Sequence, residues 1–386
     1  MKLKTAESVT SGHPDKLADY IADCILDECM AQDPESRVAC EVLLSHEVLM
    51  IAGEITTKAN VDYQAIAEKA IRNVGYEPPD SFVDDIFTQS PDIKQAVDES
   101  DTHEQGAGDQ GIVYGYATNE TLSQIPLAAD LAHRLTDKLM EMHEGRNELK
   151  LGADGKAQVT VAYGEDDKFI RIASVLVSVQ HSEDAEIKAL RKGLLDLIIK
   201  PALGEFDISQ TEIIINPSGR FVKGGFEADT GLTGRKLMVD TYGGLAHHGG
   251  GAMSGKDPSK VDRSGAYMAR YIANAIIKAE LASECEVSIA YAIGKAQPTA
   301  VNVDTFGTWA VAPSRYITEA VKRAFDLTPA GIIRQLRLKG TSYRYTAING
   351  HFGCEKGYPW ENVDSATVTR LKNALNEVIE SEEESR

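Results

Sequence analysis

The 386 residues are 42% hydrophobic and 26% charged, a mix that can bury a sizeable core and excludes disorder as the dominant state. A formal net charge of −19 argues against nucleic acid or an anionic membrane as partners, since both attract basic surfaces. The opening MKLKTAESVTSGHPDK has no apolar run behind its lysines, and no stretch is long enough to cross a bilayer, so the expectation is a cytoplasmic chain of two or three domains.

Hydrophobic periodicity gives the same order of elements three times: helix, hairpin, helix. In the first copy Pro14 opens a helix with Leu17, Ile21, Cys24 and Ile25 on one face. Val38 to Leu44 and Val48 to Ile55 form strands, and a helix from about Val61 to Val74 stops at Gly75. The second copy has a helix from about Ile125 to Met142, strands Ala157 to Tyr163 and Phe169 to Ser178, and a helix from about Ala185 to Ile199 ended by Pro201. The third has a helix from about Asp262 to Ala282, strands Cys285 to Tyr291 and Ala300 to Asp304, and a helix from about Pro313 to Phe325, with a further strand near Tyr343 to Ile348. The acidic end, Glu380 to Arg386, reads as a frayed, solvated tail.

Each copy builds a small sheet covered on one face by two helices, so the fold class is α+β with three similar units. The repeat is one of elements, not of residue identity. The expected divisions are 1–100, 101–226 and 227–386, with segments open to exchange between them. Two-stranded hairpins are marginal alone, so the copies must extend their sheets or pack together. Five cysteines at irregular spacing, with no CxxC pair, read as reduced core thiols.

Glycine, proline and charge concentrate between the copies, in Gln89 to Gly111, Asn216 to Gly234 and Gly243 to Arg263. From Arg235 to Arg263 five cations face three acids, a net +2 in a strongly acidic chain. Glycines there let backbone N–H groups approach an anion, and Arg235, Lys236, Lys256, Lys260 and Arg263 can match phosphate oxygens. Gly250 to Lys256 fits the first seven positions of a P-loop, yet Asp257 stands where a Ser or Thr is needed and Pro258 where the helix should already run. Gly106 to Gly111 fits GxGxxG by spacing but precedes the strand-like Ile112-Val113-Tyr114, so it is not a dinucleotide fingerprint.

His13 lies ahead of a helix N-terminus, where it either caps the helix or meets a bound anion. Asp15 either complements the helix dipole or, partnered with Asp262, binds Mg²⁺. Glu41 and Glu54 fall on strands, where acids are depleted, and either face water or serve a site. Asp154-Gly155-Lys156 and Gly219-Arg220-Phe221 read as turns that place cations near the other loops, with the Phe221 ring available for a base to stack on.

Taken in order, ESVTSGHPDK (7–16), RVACE (37–41), GEITT (53–57), QSPDI (89–93), GAGDQG (106–111), NPSGRFVKGG (216–225), GLTGRK (231–236), VDTYGG (239–244) and HGGGAMSGKDPSKVDRS (248–264) resemble the S-adenosylmethionine synthetases, or methionine adenosyltransferases, over nearly the whole chain. The resemblance implies three α+β units in pseudo-threefold arrangement, a homodimer with active sites between subunits, often paired into a homotetramer, and conversion of ATP and methionine to S-adenosylmethionine. It further implies hydrolysis of the cleaved tripolyphosphate to pyrophosphate and phosphate, with two Mg²⁺ and one K⁺ assisting. Carried over, His13 resembles the histidine at the leaving oxygen, Asp15 and Asp262 the Mg²⁺ ligands and Glu41 the K⁺ ligand. Asp154, Lys156, Arg220, Phe221, Asp229, Arg235, Lys236, Ala252 and Lys256 correspond to ATP contacts, with Lys156, Arg235 and Lys256 in catalytic roles beside His13. Glu54, Gln89, Asp109, Asp229 and Lys260 correspond to the methionine site, and the Gln89 to Thr102 loop to a lid. Departures are a short Gly75 to Gln89 segment, Ala246-His247-His248 in place of Ala-Arg-His, and Phe226 and Ala228 where proline and glycine are usual.

Overall fold

The structure, a computed structural model, describes residues 1–88, 105–165, 167–353 and 357–384. Among these are three sheets, each seeded by one of the predicted hairpins. The first hairpin, β2 (Arg37–Leu44) with β3 (Val48–Thr56), is flanked by β4 (Ser81–Phe87) and the two-residue β9 (Gly231–Leu232). The second, β6 (Leu151–Tyr163) with β7 (Phe169–His181), is flanked by β1 (Lys2–Val9) and β8 (Glu212–Ile215). The third, β10 (Glu284–Tyr291) with β11 (Ala300–Asp304), gains β5 (Gly111–Thr118). Helices cover these sheets, giving the α+β class, and strands β1, β5 and β9 each reach a hairpin remote in sequence.

Helix α1 (Pro14–Gln32) has Leu17, Ile21, Cys24 and Ile25 in the core, as its periodicity predicts. The same helix buries Asp15, Lys16, Asp19, Asp23 and Asp27. Four of these acids recur every four residues, so they form one row along the helix. Charged groups stay buried only when partnered, and the acids beyond Asp15 each hold a different stretch of backbone. Asp19 accepts from the Gly234 N–H at 2.8 Å, Asp23 from the Gly255 N–H at 2.8 Å and Asp27 from the Tyr343 N–H at 2.6 Å.

Helices α2 (Tyr63–Val74) and α3 (Leu127–Glu144) also lie where periodicity puts them. Helix α4 (Ile187–Leu194) does not end at Pro201: it widens into a π turn, Leu195–Ile199, and continues to Leu203. The widened turn removes the need for the N–H that proline lacks, and Gly204, at φ +59°, ends the run. Helices α5 (Val261–Lys278) and α6 (Ser314–Ala324) match expectation, while α7 (Pro329–Gln335) and α8 (Ser365–Glu384) are additional. The acidic run at the chain end is helical to Glu384 rather than frayed, because Leu371, Ala374, Leu375 and Val378 bury one face of α8.

No strand forms at Tyr343 to Ile348. Arg344–Ala347 is a 3₁₀ turn whose leading N–H groups, from Tyr343 and Arg344, donate to the Asp27 carboxylate. Nor is Asp154-Gly155-Lys156 a turn: it runs inside β6, at a register shift against β7 between Leu151 and Gly155. Cys24, Cys29, Cys40 and Cys285 are buried free thiols, and Cys354 lies outside the described residues. Among the described residues no helix is long and apolar enough to cross a membrane.

Candidate active site

The turn into α1 is pressed against β6. A Cβ on Gly12 would come within 2.4 Å of Ala153, so only glycine permits this approach. It sets His13 at the N-cap of α1, buried, with Nδ1 accepting the Asp15 N–H at 3.2 Å. That bond puts the imidazole proton of neutral His13 on Nε2. Burial first, then the charges of Lys236 and Lys156, lower the His13 pKa to about 3.

Asp15 does more than complement the helix dipole. Its carboxylate accepts from the Leu232 N–H at 3.0 Å and from Lys236 Nζ at 2.6 Å, with Arg235 3.6 Å away. Burial raises the Asp15 pKa, but the Lys236 and Leu232 hydrogen bonds outweigh it and the net shift is downward. Asp154, on β6, is buried and accepts from the Gly225 N–H at 2.8 Å, while its other oxygen has no partner among the described residues. Burial raises its pKa despite that bond and the nearby charge of Lys156.

Tyr76 fastens these pieces together, though sequence reasoning passes over it. Its hydroxyl donates to the Gly12 carbonyl at 3.1 Å, and its ring meets Phe226 edge-on at 5.5 Å. Phe226, one of the family departures, thus supplies an apolar face to the turn that holds Asp154. The only sequence signal for Tyr76 is an aromatic placed directly after the Gly75 helix stop.

The second half of the site is the glycine- and lysine-rich run. Gly255 has φ +77°, and a Cβ there would lie 2.1 Å from the Cys40 carbonyl. Glycine therefore lets residues 255–257 dock on β2: Cys40 N–H donates to the Gly255 carbonyl at 2.9 Å and Asp257 N–H to the Val38 carbonyl at 3.0 Å. Asp257, the residue that breaks the P-loop pattern, is buried and structural. It accepts from the Val38 N–H at 2.7 Å and from Lys260 Nζ at 2.6 Å. Helix α5 begins only at Val261, well past the place a P-loop helix would start.

Docking places Lys256 against Ala39 of β2, and its Nζ donates to Asp262 at 2.6 Å. Glu41 lies two residues along the same strand face, its pKa raised by desolvation and drawn back by Lys256. Glu54 pairs with Ala39 across the hairpin, so it shares that face. Ala252 packs against Gly234, joining the run to the segment that carries Arg235 and Lys236.

Two sets emerge: His13, Asp15, Asp154, Lys156, Arg235 and Lys236 near α1 and β6, and Glu41, Glu54, Lys256, Lys260 and Asp262 on the β2 face. No hydrogen bond or ion pair joins one set to the other among the described residues. Phe221 exchanges hydrogen bonds with His181, holding its loop against β7. Arg220 and Asp109 are not drawn into either set by a bond: Arg220 pairs with Glu183 at 2.7 Å, and Asp109 caps the Gln110 N–H. Asp229 is exposed after a short 3₁₀ turn, and Gln89 with its proposed lid lies outside the described residues. His247 donates its backbone N–H to Glu286 at 3.1 Å, lies with its ring 2.9 Å from the same carboxylate and packs on Tyr114, so the family departure is anchored.

Comparison with known proteins identifies the family. Profiles described as the N-terminal, central and C-terminal domains of S-adenosylmethionine synthetase match residues 1–100, 104–221 and 223–362. The S-adenosylmethionine synthases of two strains of Staphylococcus epidermidis are each 47% identical over 394 residues, covering 97% of this chain and 98% of theirs. With three consecutive segments matched and near-half identity along almost the full length, the chain belongs to the S-adenosylmethionine synthetase family of transferases, and forming S-adenosylmethionine is its reaction.

Proposed function

We propose that the methionine sulfur attacks the ribose C5′ of ATP, that the carbon–oxygen bond to the triphosphate breaks as the carbon–sulfur bond forms, and that the released tripolyphosphate is then hydrolysed to pyrophosphate and phosphate. The observation that carries this reading is the pairing of each candidate Mg²⁺ carboxylate with a candidate phosphate-binding lysine: Asp15 with Lys236, and Asp262 with Lys256, both at 2.6 Å. A polyphosphate and its metal ions exchange cleanly with such pairs, the lysine turning to phosphate and the carboxylate to metal.

The donor set fits Mg²⁺ held jointly with a nucleotide. Among the described residues no cluster of three or more metal-ligating side chains occurs, which disfavours an all-protein cage. Mg²⁺ commonly takes one or two carboxylates and completes its octahedron with phosphate and water, and Asp15 and Asp262 can each offer one. When bound there it would neutralise charge on the leaving triphosphate. Glu41 would hold K⁺.

In the reaction, Lys156, Arg235, Lys236 and Lys256 hold the triphosphate oxygens as negative charge collects on them. His13 offers a neutral Nε2–H to the departing oxygen and does not need to be protonated to do so. Lys260, anchored by Asp257, receives the methionine carboxylate, with Glu54, Gln89, Asp109 and Asp229 around the amino acid. That no hydrogen bond or ion pair joins the two sets of site residues among the described residues supports a homodimer in which each subunit completes the other's site, and pairing of dimers into a tetramer. Buried free thiols accord with a cytoplasmic setting.

The test is turnover of the purified chain with ATP, methionine, Mg²⁺ and K⁺. Each S-adenosylmethionine formed should be matched by one phosphate and one pyrophosphate; ADP release, or phosphate formation independent of methionine, refutes the reading. The low His13 pKa gives a second expectation. Unfolded, the imidazole takes a proton below about pH 6.5; folded, it does so only near pH 3, so stability falls as pH drops from 6.5 toward 3. His13→Gln should flatten that decline in urea midpoints compared at pH 7 and pH 5. An unchanged decline would mean that His13 titrates normally in the folded chain.

A further inference from the structure

Beside the β2 face lies a cavity of 790 Å³ that none of the residues assigned above explains. Its wall runs from Arg37, where β2 begins, across Asp257 and Ser259 to Ile333, Arg334, Arg337 and Lys339 around the end of α7. Arg37 pairs across the hairpin with Thr56, two residues beyond the Ala39–Glu54 pair, so the cavity continues the face that carries Glu54. In a chain of net charge −19, four cations against two acids, Glu35 and Asp257, in the lining of one cavity need a reason.

Three of the four have one. Arg334 pairs with Asp326 at 2.9 Å, Lys339 pairs with Glu35, and Arg37 is partnered. Arg337 does not: no hydrogen bond or ion pair reaches its guanidinium among the described residues. Its backbone is also left-handed, at φ +52°, ψ +40°, a conformation that disfavours any side chain and would suit glycine. An arginine at such a position, with its charge unpaired among the described residues at the wall of a cavity, indicates that the guanidinium itself has work there.

We propose that this cavity is a second, non-catalytic site for a small oxyanion, a phosphate or carboxylate group whose short apolar part rests on Ile333 and Ala330. Arg337 is the anchoring cation, and the paired Arg334 and Lys339 complete a positive rim. The occupant acts on the methionine site through Asp257. This residue lines the cavity while holding Lys260 Nζ at 2.6 Å and the Val38 N–H at 2.7 Å, so an anion drawn in beside it shifts the anchor of Lys260. That coupling rests on the assignment of Lys260 to methionine; the binding itself does not.

Calorimetric titration of the full chain with inorganic phosphate, and separately with acetate, tests the binding. Arg337→Gly is the informative variant, since glycine accepts the backbone conformation while removing the charge. A component of the phosphate heat that survives Lys256→Ala but is lost in Arg337→Gly is expected, with kcat of Arg337→Gly within twofold of the parent chain. Phosphate should also change the KM for methionine at least threefold at constant kcat, and Arg337→Gly should abolish the change. A matching acetate signal assigns the site to carboxylates as well, and a phosphate-only signal confines it to phosphates. Superposable parent and Arg337→Gly isotherms, or heat that vanishes with Lys256→Ala, would overturn the site. Arg337-dependent heat with an unmoved methionine KM would overturn the coupling. Failure of the chain to make S-adenosylmethionine would instead strike the proposed reaction and leave the isotherms intact.

Discussion

Lys256→Ala is expected to lower kcat by about a hundred- to thousandfold, the scale for losing one preorganised contact to developing charge. The side chain is aimed before substrate arrives: Gly255 docks on β2, the Lys256 backbone lies against Ala39 and Nζ waits on Asp262. A unit charge pair at 4 Å is worth about 1 kcal/mol in bulk water but about 4 kcal/mol at an effective dielectric of 20. Lys256 lies mostly out of solvent, its side chain 18% exposed, so the larger figure is the relevant one. The loss should fall on kcat more than on the KM for methionine, because the charge on the leaving group is greatest in the transition state. Initial rates with saturating ATP and methionine decide it, with a urea midpoint to show that the variant is folded. A fall of less than fivefold would remove Lys256 from the leaving-group role.

The parts of this site that could be read in the sequence are those where local chemistry and chain position coincide. Pro14 and the apolar period after it fix the start of α1, and with it the place of His13. The failed P-loop is legible at Asp257 because the Mg²⁺ hydroxyl is missing, and the structure adds what Asp257 does instead, capping the edge of β2. What stayed hidden depends on partners far away in the chain. Lys2–Val9 shows little apolar alternation, since only its later residues are buried, and it is a strand because β6 pairs with it. Ser81–Phe87 carries Asp84 and Asp85 and is an edge strand held in parallel by β3. Asp154-Gly155-Lys156 has turn composition, yet pairing of Gly155 and Lys156 with β7, and of Lys156 with β1, keeps it extended within β6. The row Asp15, Asp19, Asp23, Asp27 was visible as a period of four, but an acidic row on a helix ordinarily faces water. Only burial of α1 on all sides makes it the spine of the site.

That row sets the largest expected loss of stability, at Asp23→Ala. Asp23 and Arg263 are both fully buried, and Arg263 Nη2 donates to the two carboxylate oxygens at 2.9 and 2.7 Å. Asp23 also accepts from the Gly255 N–H and the Thr346 hydroxyl. Without it, the guanidinium remains buried over the Tyr343 ring, 4.5 Å from its centroid, and cannot shed its proton to escape the cost. Breaking such a pair from one side costs about 3–5 kcal/mol. Replacing both members, Asp23→Leu with Arg263→Met, should recover most of that, since the desolvation cost leaves with the charges. Urea unfolding at one fixed protein concentration measures both, which matters if subunit association contributes. Function separates from stability here: Asp23 holds the Gly255 N–H, and Arg263 holds the Lys256 carbonyl at 2.9 Å, so the doubly substituted chain should stay folded yet lose kcat along with the aim of Lys256. A single variant destabilised by less than 1 kcal/mol would show that water or another group reaches Arg263. A double variant with full kcat would show that β2 alone positions Lys256, and the acidic row of α1 would then be structural only.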